Sequence, residues 1–137
     1  MERVLSREEI SNSITNSPFH RFLGLELADT TDESLTLKLS FKDSFIAGDK
    51  VDYIHGGILA SIIDVAGYFV LFQVLNIPAP TLDLHINYLR AAKKENLYAE
   101  ATIVKLGRSV STADIVVTNE DGKKIAVGRG LYSTNQS

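Results

Sequence analysis

The sequence predicts an α+β fold in which one curled antiparallel sheet wraps a single long buried helix. Three observations carry this. First, the stretch that opens with Gly56-Gly57 is apolar on nearly every side, at Ile58, Leu59, Ile62, Ile63, Val65, Ala66, Phe69 and Val70. A helix that is apolar all round needs cover all round. Second, the runs before and after it alternate with a period of two, the mark of strands with one face buried. Third, the four runs that follow the helix have no further helix between them, so their connections are those of an antiparallel sheet. The chain has 137 residues, 45% of them hydrophobic and 23% charged. That is the size and composition of one globular domain, expected over 1–137.

The elements follow in order. Ser6 and Glu9 form a capping box ahead of a short amphipathic helix with Ile10 and Ile14 one turn apart. Ser17-Pro18 starts a second short helical turn that Gly24 stops, so residues 1–24 are a helical segment packed on the domain. Leu25 and Leu27, then Leu35, Leu37, Leu39 and Phe41, alternate with polar residues around the turn at 29–33, which reads as a hairpin. A loop runs from Lys42 to Ile54, and loops of this length are often functional. The central helix starts near Gly56 and ends before Asn76, and Pro78 and Pro80 block its continuation. Four strands are then expected: 82–88, 97–106, 110–117 and 125–132. Turn residues at 94–96, 107–108 and 119–122 would join them as a meander.

Composition excludes several classes. A net charge of −3 gives no basic surface for nucleic acid. There is no cysteine, hence no disulfide, zinc thiolate or thiol nucleophile. The three histidines and the loop acids show no metal-ligand spacing, and neither Ser61 nor Ser109 has a histidine and an acid arranged as a triad. The N-terminus lacks a signal-peptide apolar run. Asp64 interrupts the apolar helix, which reads as too short to cross a bilayer comfortably. A cytoplasmic protein with no membrane partner is expected.

Asp64 is the anomaly. It lies mid-helix with no Lys or Arg within a turn, and an ionised group there is costly unless something pairs with it or uses it. From the residues alone, a structural acid and a catalytic one stand about level.

The order of hairpin, loop, His55-Gly56-Gly57, buried helix bearing Asp64 and strand meander resembles the hotdog fold, from about Phe22 to Tyr132. More narrowly it resembles the PaaI-like acyl-CoA thioesterases, relatives of the hydroxybenzoyl-CoA thioesterases and the mammalian Them2-type enzymes. Thr81-Leu82-Asp83-Leu84-His85-Ile86-Asn87-Tyr88-Leu89-Arg90-Ala91 and the stretch Gly122 to Gly130 agree with that family. The resemblance implies hydrolysis of an acyl- or aryl-CoA thioester to free acid and coenzyme A, with no cofactor beyond the substrate. It implies that the Gly57 N–H donates to the thioester oxygen, that Asp64 is the base or nucleophile, and that Thr81 positions the attacking water. It implies that His55 shapes the start of the helix, and Gly56 counts among the substrate-binding residues. Where relatives carry an Asn donor six residues before the histidine, this chain has Asp49, which cannot donate when ionised.

The chemistry is sound on its own terms. A helix start offers unpaired N–H groups and partial positive charge, and a glycine there lets a carbonyl approach, which makes an oxyanion hole. A carboxylate in an apolar wall gains basicity. Gly57 and Asp64 share a helix face but stand about 10 Å apart along the axis, too far for one thioester carbon to meet both. Two helices packed antiparallel about a two-fold would bring Gly57 of one copy to Asp64 of the other, so a homodimer with shared sites is expected, pairing further to a homotetramer. Coenzyme A carries phosphates, for which Arg90 and Arg108 are candidates, and the Gly107-Arg108-Ser109 turn offers backbone groups to the pantetheine arm. The acyl pocket is expected at Ile58, Ile62, Tyr68 and the N-terminal segment. The competing readings are a hotdog hydratase or dehydratase and a non-catalytic acyl-CoA sensor, which Asp49 keeps open.

Overall fold

The computed structural model describes residues 1–135. Helices α1 (Arg7–Asn16) and α2 (Pro18–Leu23) precede the hairpin of β1 (Leu25–Thr30) and β2 (Ser34–Leu39). One 3-10 turn, Asp43–Phe45, lies in the loop before α3 (Gly56–Leu75). Strands β3 (Thr81–Tyr88), β4 (Leu97–Lys105), β5 (Val110–Asn119) and β6 (Lys124–Ser133) complete the chain.

Local signals set these boundaries as expected. The Ser6 side chain accepts from the Glu9 N–H at 3.1 Å while the Glu9 carboxylate accepts from the Ser6 N–H at 2.9 Å, a complete capping box. Gly24 ends α2 at φ 76°, its N–H donating to the His20 and Arg21 carbonyls. Asn76 ends α3 in the left-handed region at φ 51°.

The six strands form one antiparallel sheet in the order β1-β2-β4-β5-β6-β3. This corrects the expected four-strand meander. Only β4, β5 and β6 follow one another; β3 pairs with β6, and β4 pairs back to β2. The reason lies in the connection after β3. It is no tight turn but a crossing loop, held where the Leu89 N–H donates to the Ile125 carbonyl and the Ile54 N–H to the Ala92 carbonyl. The crossing leaves β3 on the outer edge of the sheet, next to the C-terminal strand.

The core lies between α3 and one sheet face. Leu35, Leu37 and Leu39 alternate inward on β2, opposite Ala101, Ala99 and Leu97 on β4. The central strands keep small residues under the helix. A Cβ at Gly128 would lie 2.7 Å from the Ile63 Cγ2, so glycine sets how closely β6 approaches α3. At 20 residues, α3 is long and apolar enough to cross a bilayer by length and composition, so Asp64 does not rule that out as the sequence suggested. Its apolar surface is instead taken up by the sheet and by Ile10, Ile14 and Leu23 of the N-terminal segment. Gln73, fully buried in α3, donates to the Thr31 and Ser34 carbonyls, and its main-chain oxygen accepts from the Val4 and Leu5 N–H groups. It ties the hairpin turn and the N-terminus to the end of the helix.

Candidate active site

Asp64 stands halfway along α3, half-buried. Its Oδ1 accepts a 2.6 Å hydrogen bond from the Thr81 hydroxyl at the start of β3. Its main-chain carbonyl accepts a 2.9 Å bond from the Tyr132 hydroxyl. Thr81 and Tyr132 are register partners across β3 and β6, so one strand pair holds the acid by both side chain and backbone. Tyr132 is fully buried, in space left by two glycines: a Cβ at Gly67 would lie 2.2 Å from its Oη, and one at Gly130 would lie 2.5 Å from its ring. Burial first, then the Asp64 carboxylate beside it, holds the phenol well above its ordinary range.

Asp64 and Thr81 open onto a cavity of about 470 Å³. Its walls are largely aromatic. Tyr68 stacks on Phe72 with centroids 5.6 Å apart, and Phe69 meets both edge-on. His20 of α2 closes one side, edge-on to Phe69 at 5.5 Å, with its Nδ1 3.1 Å from the Ile14 carbonyl. That contact makes Nδ1 the protonated nitrogen. Burial pushes the His20 imidazole down and the Tyr68 phenol up, so both are neutral near pH 7. Of the residues expected at the acyl pocket, Tyr68 and the N-terminal segment line this cavity. Ile58 and Ile62 do not; Ile62 faces the core.

The first turn of α3 holds the remaining central candidates, at the other end of a run of about 12 Å from Gly56 to Asp64. His55 is the N-cap, and its Nδ1 accepts from the Gly57 N–H at 2.8 Å. The Gly57 donor expected to face substrate is therefore already satisfied within the chain. The Gly56 N–H, one residue earlier, donates no hydrogen bond among the described residues. Gly56 lines a second, shallower depression with Tyr53, Leu59, Tyr88, Leu89 and Arg90. Arg90 thus lies beside the helix start, its side chain unpaired among the described residues. Asp49 is exposed on the preceding loop, with no hydrogen bond or ion pair among the described residues, and lines neither space. Gly107, Arg108 and Ser109 lie beside Leu75, the last residue of α3, far along the helix from Gly56.

One chain therefore brings Asp64 and Thr81 together, and separately Gly56 and Arg90. His20, Tyr88 and Tyr132 were not legible as neighbours of the site. Each is an ordinary aromatic or imidazole in its local pattern, and only the packing of α2, β3 and β6 against α3 brings it there.

Residues 52–126, more than half of the chain, match the family model described as the thioesterase superfamily. The medium/long-chain acyl-CoA thioesterase YigI of Escherichia coli is 27% identical over 135 residues, 87% of this chain and 86% of that protein. A crystal structure from the thioesterase superfamily superposes with a TM-score of 0.88 at 32% identity, covering 92% of this chain and 96% of that one. Thioesterase superfamily member 2 of Mus musculus superposes with a TM-score of 0.83 at 25% identity, covering 96% of this chain and 100% of that one. Sheet order, matched span and relatives agree: the chain belongs to the thioesterase superfamily and is a thioester hydrolase of the hotdog fold.

Proposed function

We propose that the protein hydrolyses acyl-CoA thioesters with water, without a metal, at two equivalent sites shared across a homodimer, as a cytoplasmic enzyme. The observation that carries this is the separation on α3 of a cavity-facing acid, Asp64, from an open main-chain donor, Gly56. Neither half can act on one carbonyl carbon alone. A two-fold that packs two copies of α3 antiparallel completes both sites at once. Strand β3 supports the same association. It is an edge strand, and Leu82, Tyr88 and Leu89 on or just beyond it are each more than half exposed, an apolar edge that calls for cover.

In this reading the acyl group enters the aromatic cavity and the thioester oxygen accepts from the partner copy's helix start. Gly56 takes the donor role that the resemblance implies for Gly57, because His55 already occupies the Gly57 N–H. The Thr81 hydroxyl donates a hydrogen bond to Asp64, so its lone pairs remain to accept one from water. Asp64 removes a proton as that water attacks the carbonyl carbon. The negative charge moves to the oxygen facing Gly56, then collapses back as the C–S bond breaks. The thiolate leaves and takes up the proton held by Asp64. Arg90, beside Gly56, is placed for a phosphate of the nucleotide end, whereas the turn at 107–109 lies at the far end of the helix.

Thiol release from a panel of acyl- and aryl-CoA esters tests the reading. Asp64→Asn and Asp64→Ala should each lower kcat by about 10³-fold, within the range of a general base. Turnover that survives both changes removes Asp64 from the mechanism.

A further inference from the structure

We infer that Tyr88 is a positioning residue for the main-chain donor of this site, clamping, together with His55, the peptide group between the two glycines that begin α3. The inference rests on the reading above for the role of Gly56; the clamp itself is a matter of geometry. The Tyr88 hydroxyl, from the end of β3, donates to the Gly56 carbonyl at 2.9 Å. The N–H of the same peptide group, that of Gly57, donates to the His55 Nδ1 at 2.8 Å. Both polar ends of one peptide are thus fixed by side chains, one from the sheet and one from the cap.

The position is where a clamp has work to do. Two consecutive glycines leave the first turn wide backbone freedom, which in a helix interior costs about 1 kcal/mol each relative to alanine. The carbonyl of the cap is shared between two donors. The His55 carbonyl accepts from the Ile58 N–H at 2.9 Å and from the Leu59 N–H only at 3.4 Å. The clamped peptide adjoins, through the Gly56 Cα, the peptide that carries the Gly56 N–H, so if it rotates the turn opens and that Cα shifts, taking the donor off its aim. Tyr88 opposes that rotation directly. Its ring also lies against Gly56, where a Cβ would meet the ring carbons at 3.5 Å. The same hydrogen bond ties the donor to β3, the strand that supplies Thr81 to the acid. One strand thereby sets the spacing of the two half-sites: Thr81 at its start holds Asp64, and Tyr88 at its end holds Gly56.

Tyr88→Phe in the full chain removes the hydroxyl and keeps the ring, at a position 53% exposed where the change is tolerated by the fold. Thiol release from octanoyl-CoA and phenylacetyl-CoA should show kcat lowered about tenfold with KM within about twofold, the pattern of a misplaced donor rather than a lost substrate contact. Amide hydrogen exchange at Gly57 and Ile58 should quicken, with oligomeric mass unchanged. The Tyr88→Phe/His55→Ala double variant should lose less than the product of the single losses, because the two side chains hold one peptide. The inference is overturned by an unchanged kcat, by a raised KM with kcat kept, by unchanged exchange, or by a loss of activity that accompanies dissociation of the dimer. The exchange measurement needs no turnover, so it decides the clamp even if the catalytic reading fails with an inactive wild-type chain.

Discussion

The Gly56 and Asp64 ends of the first half of α3 are built in opposite ways. At Asp64 the helix is gripped from outside: Thr81 holds the carboxylate, Tyr132 holds the carbonyl, and the aromatic cavity encloses the rest. At Gly56 the helix begins, its first turn rests on two glycines, and the N–H that serves as donor in the proposed reaction is uncommitted among the described residues. The acid end is rigid because its contacts come from elements distant in sequence. The donor end keeps a free hydrogen-bonding group only because neighbouring groups are tied elsewhere. An acid needs surroundings, whereas a main-chain donor needs its competitors occupied.

After loss of the acid itself, the largest effect should come from deleting the donor without disturbing the helix. Gly56 is the first helical residue, where proline is accepted, and His55 already has the extended ψ of 135° that a following proline requires. Gly56→Pro should therefore fold and lose about 10²- to 10³-fold in kcat, the scale of an oxyanion donor. Mixing it with Asp64→Asn under subunit exchange sharpens the comparison. A mixed dimer has one intact site, so random pairing should restore about a quarter of wild-type activity. No recovery would mean that acid and donor do not come from different copies.

Next is the slot at the acid end. In Gly67→Ala the new methyl lies 2.2 Å from the Tyr132 Oη, with no solvent for the buried ring to move into. Denaturant unfolding should show a loss of about 2–3 kcal/mol, the range for overpacking a core. A neutral result would mean that the ring relaxes freely and does not fix Asp64. Thr81→Val keeps the shape of the side chain and removes the hydroxyl. It should cost about tenfold in kcat, at the low end for a group that assists a base. The smallest effect concerns the cavity wall. Burial lowers the His20 pKa from its ordinary 6.5, so on acidification the unfolded chain takes up a proton there before the folded chain does. Stability should fall as the pH drops from 6.5 to the lowered folded-state value and then level off. Comparing the pH dependence of unfolding with that of His20→Phe isolates this contribution, and identical slopes would remove it.

Much of this was legible in single residues. Asp64 stood out because a charge in an apolar helix needs an explanation, and Gly56-Gly57 because glycines at a helix start mark a close approach. Thr81 came from the family resemblance, and its hydroxyl meets the Asp64 carboxylate. Which glycine N–H the His55 cap takes up was not legible, because it depends on a side-chain rotamer that no periodic signal specifies. Nor was the position of β3. Alternation of Leu82, Leu84, Ile86 and Tyr88 defines a strand but not its partner, and the loop that carries the chain across the sheet has no periodic signal.

Local sequence was enough for the elements and their caps, the buried helix, the misplaced acid and the glycines, because each follows from interactions within a few residues or from the polarity of one side chain. Folding of the whole chain set β3 beside β6 and put Tyr132 into the space left by Gly67 and Gly130. Those outcomes depend on which distant surfaces meet, and local spacing along a chain carries no record of that.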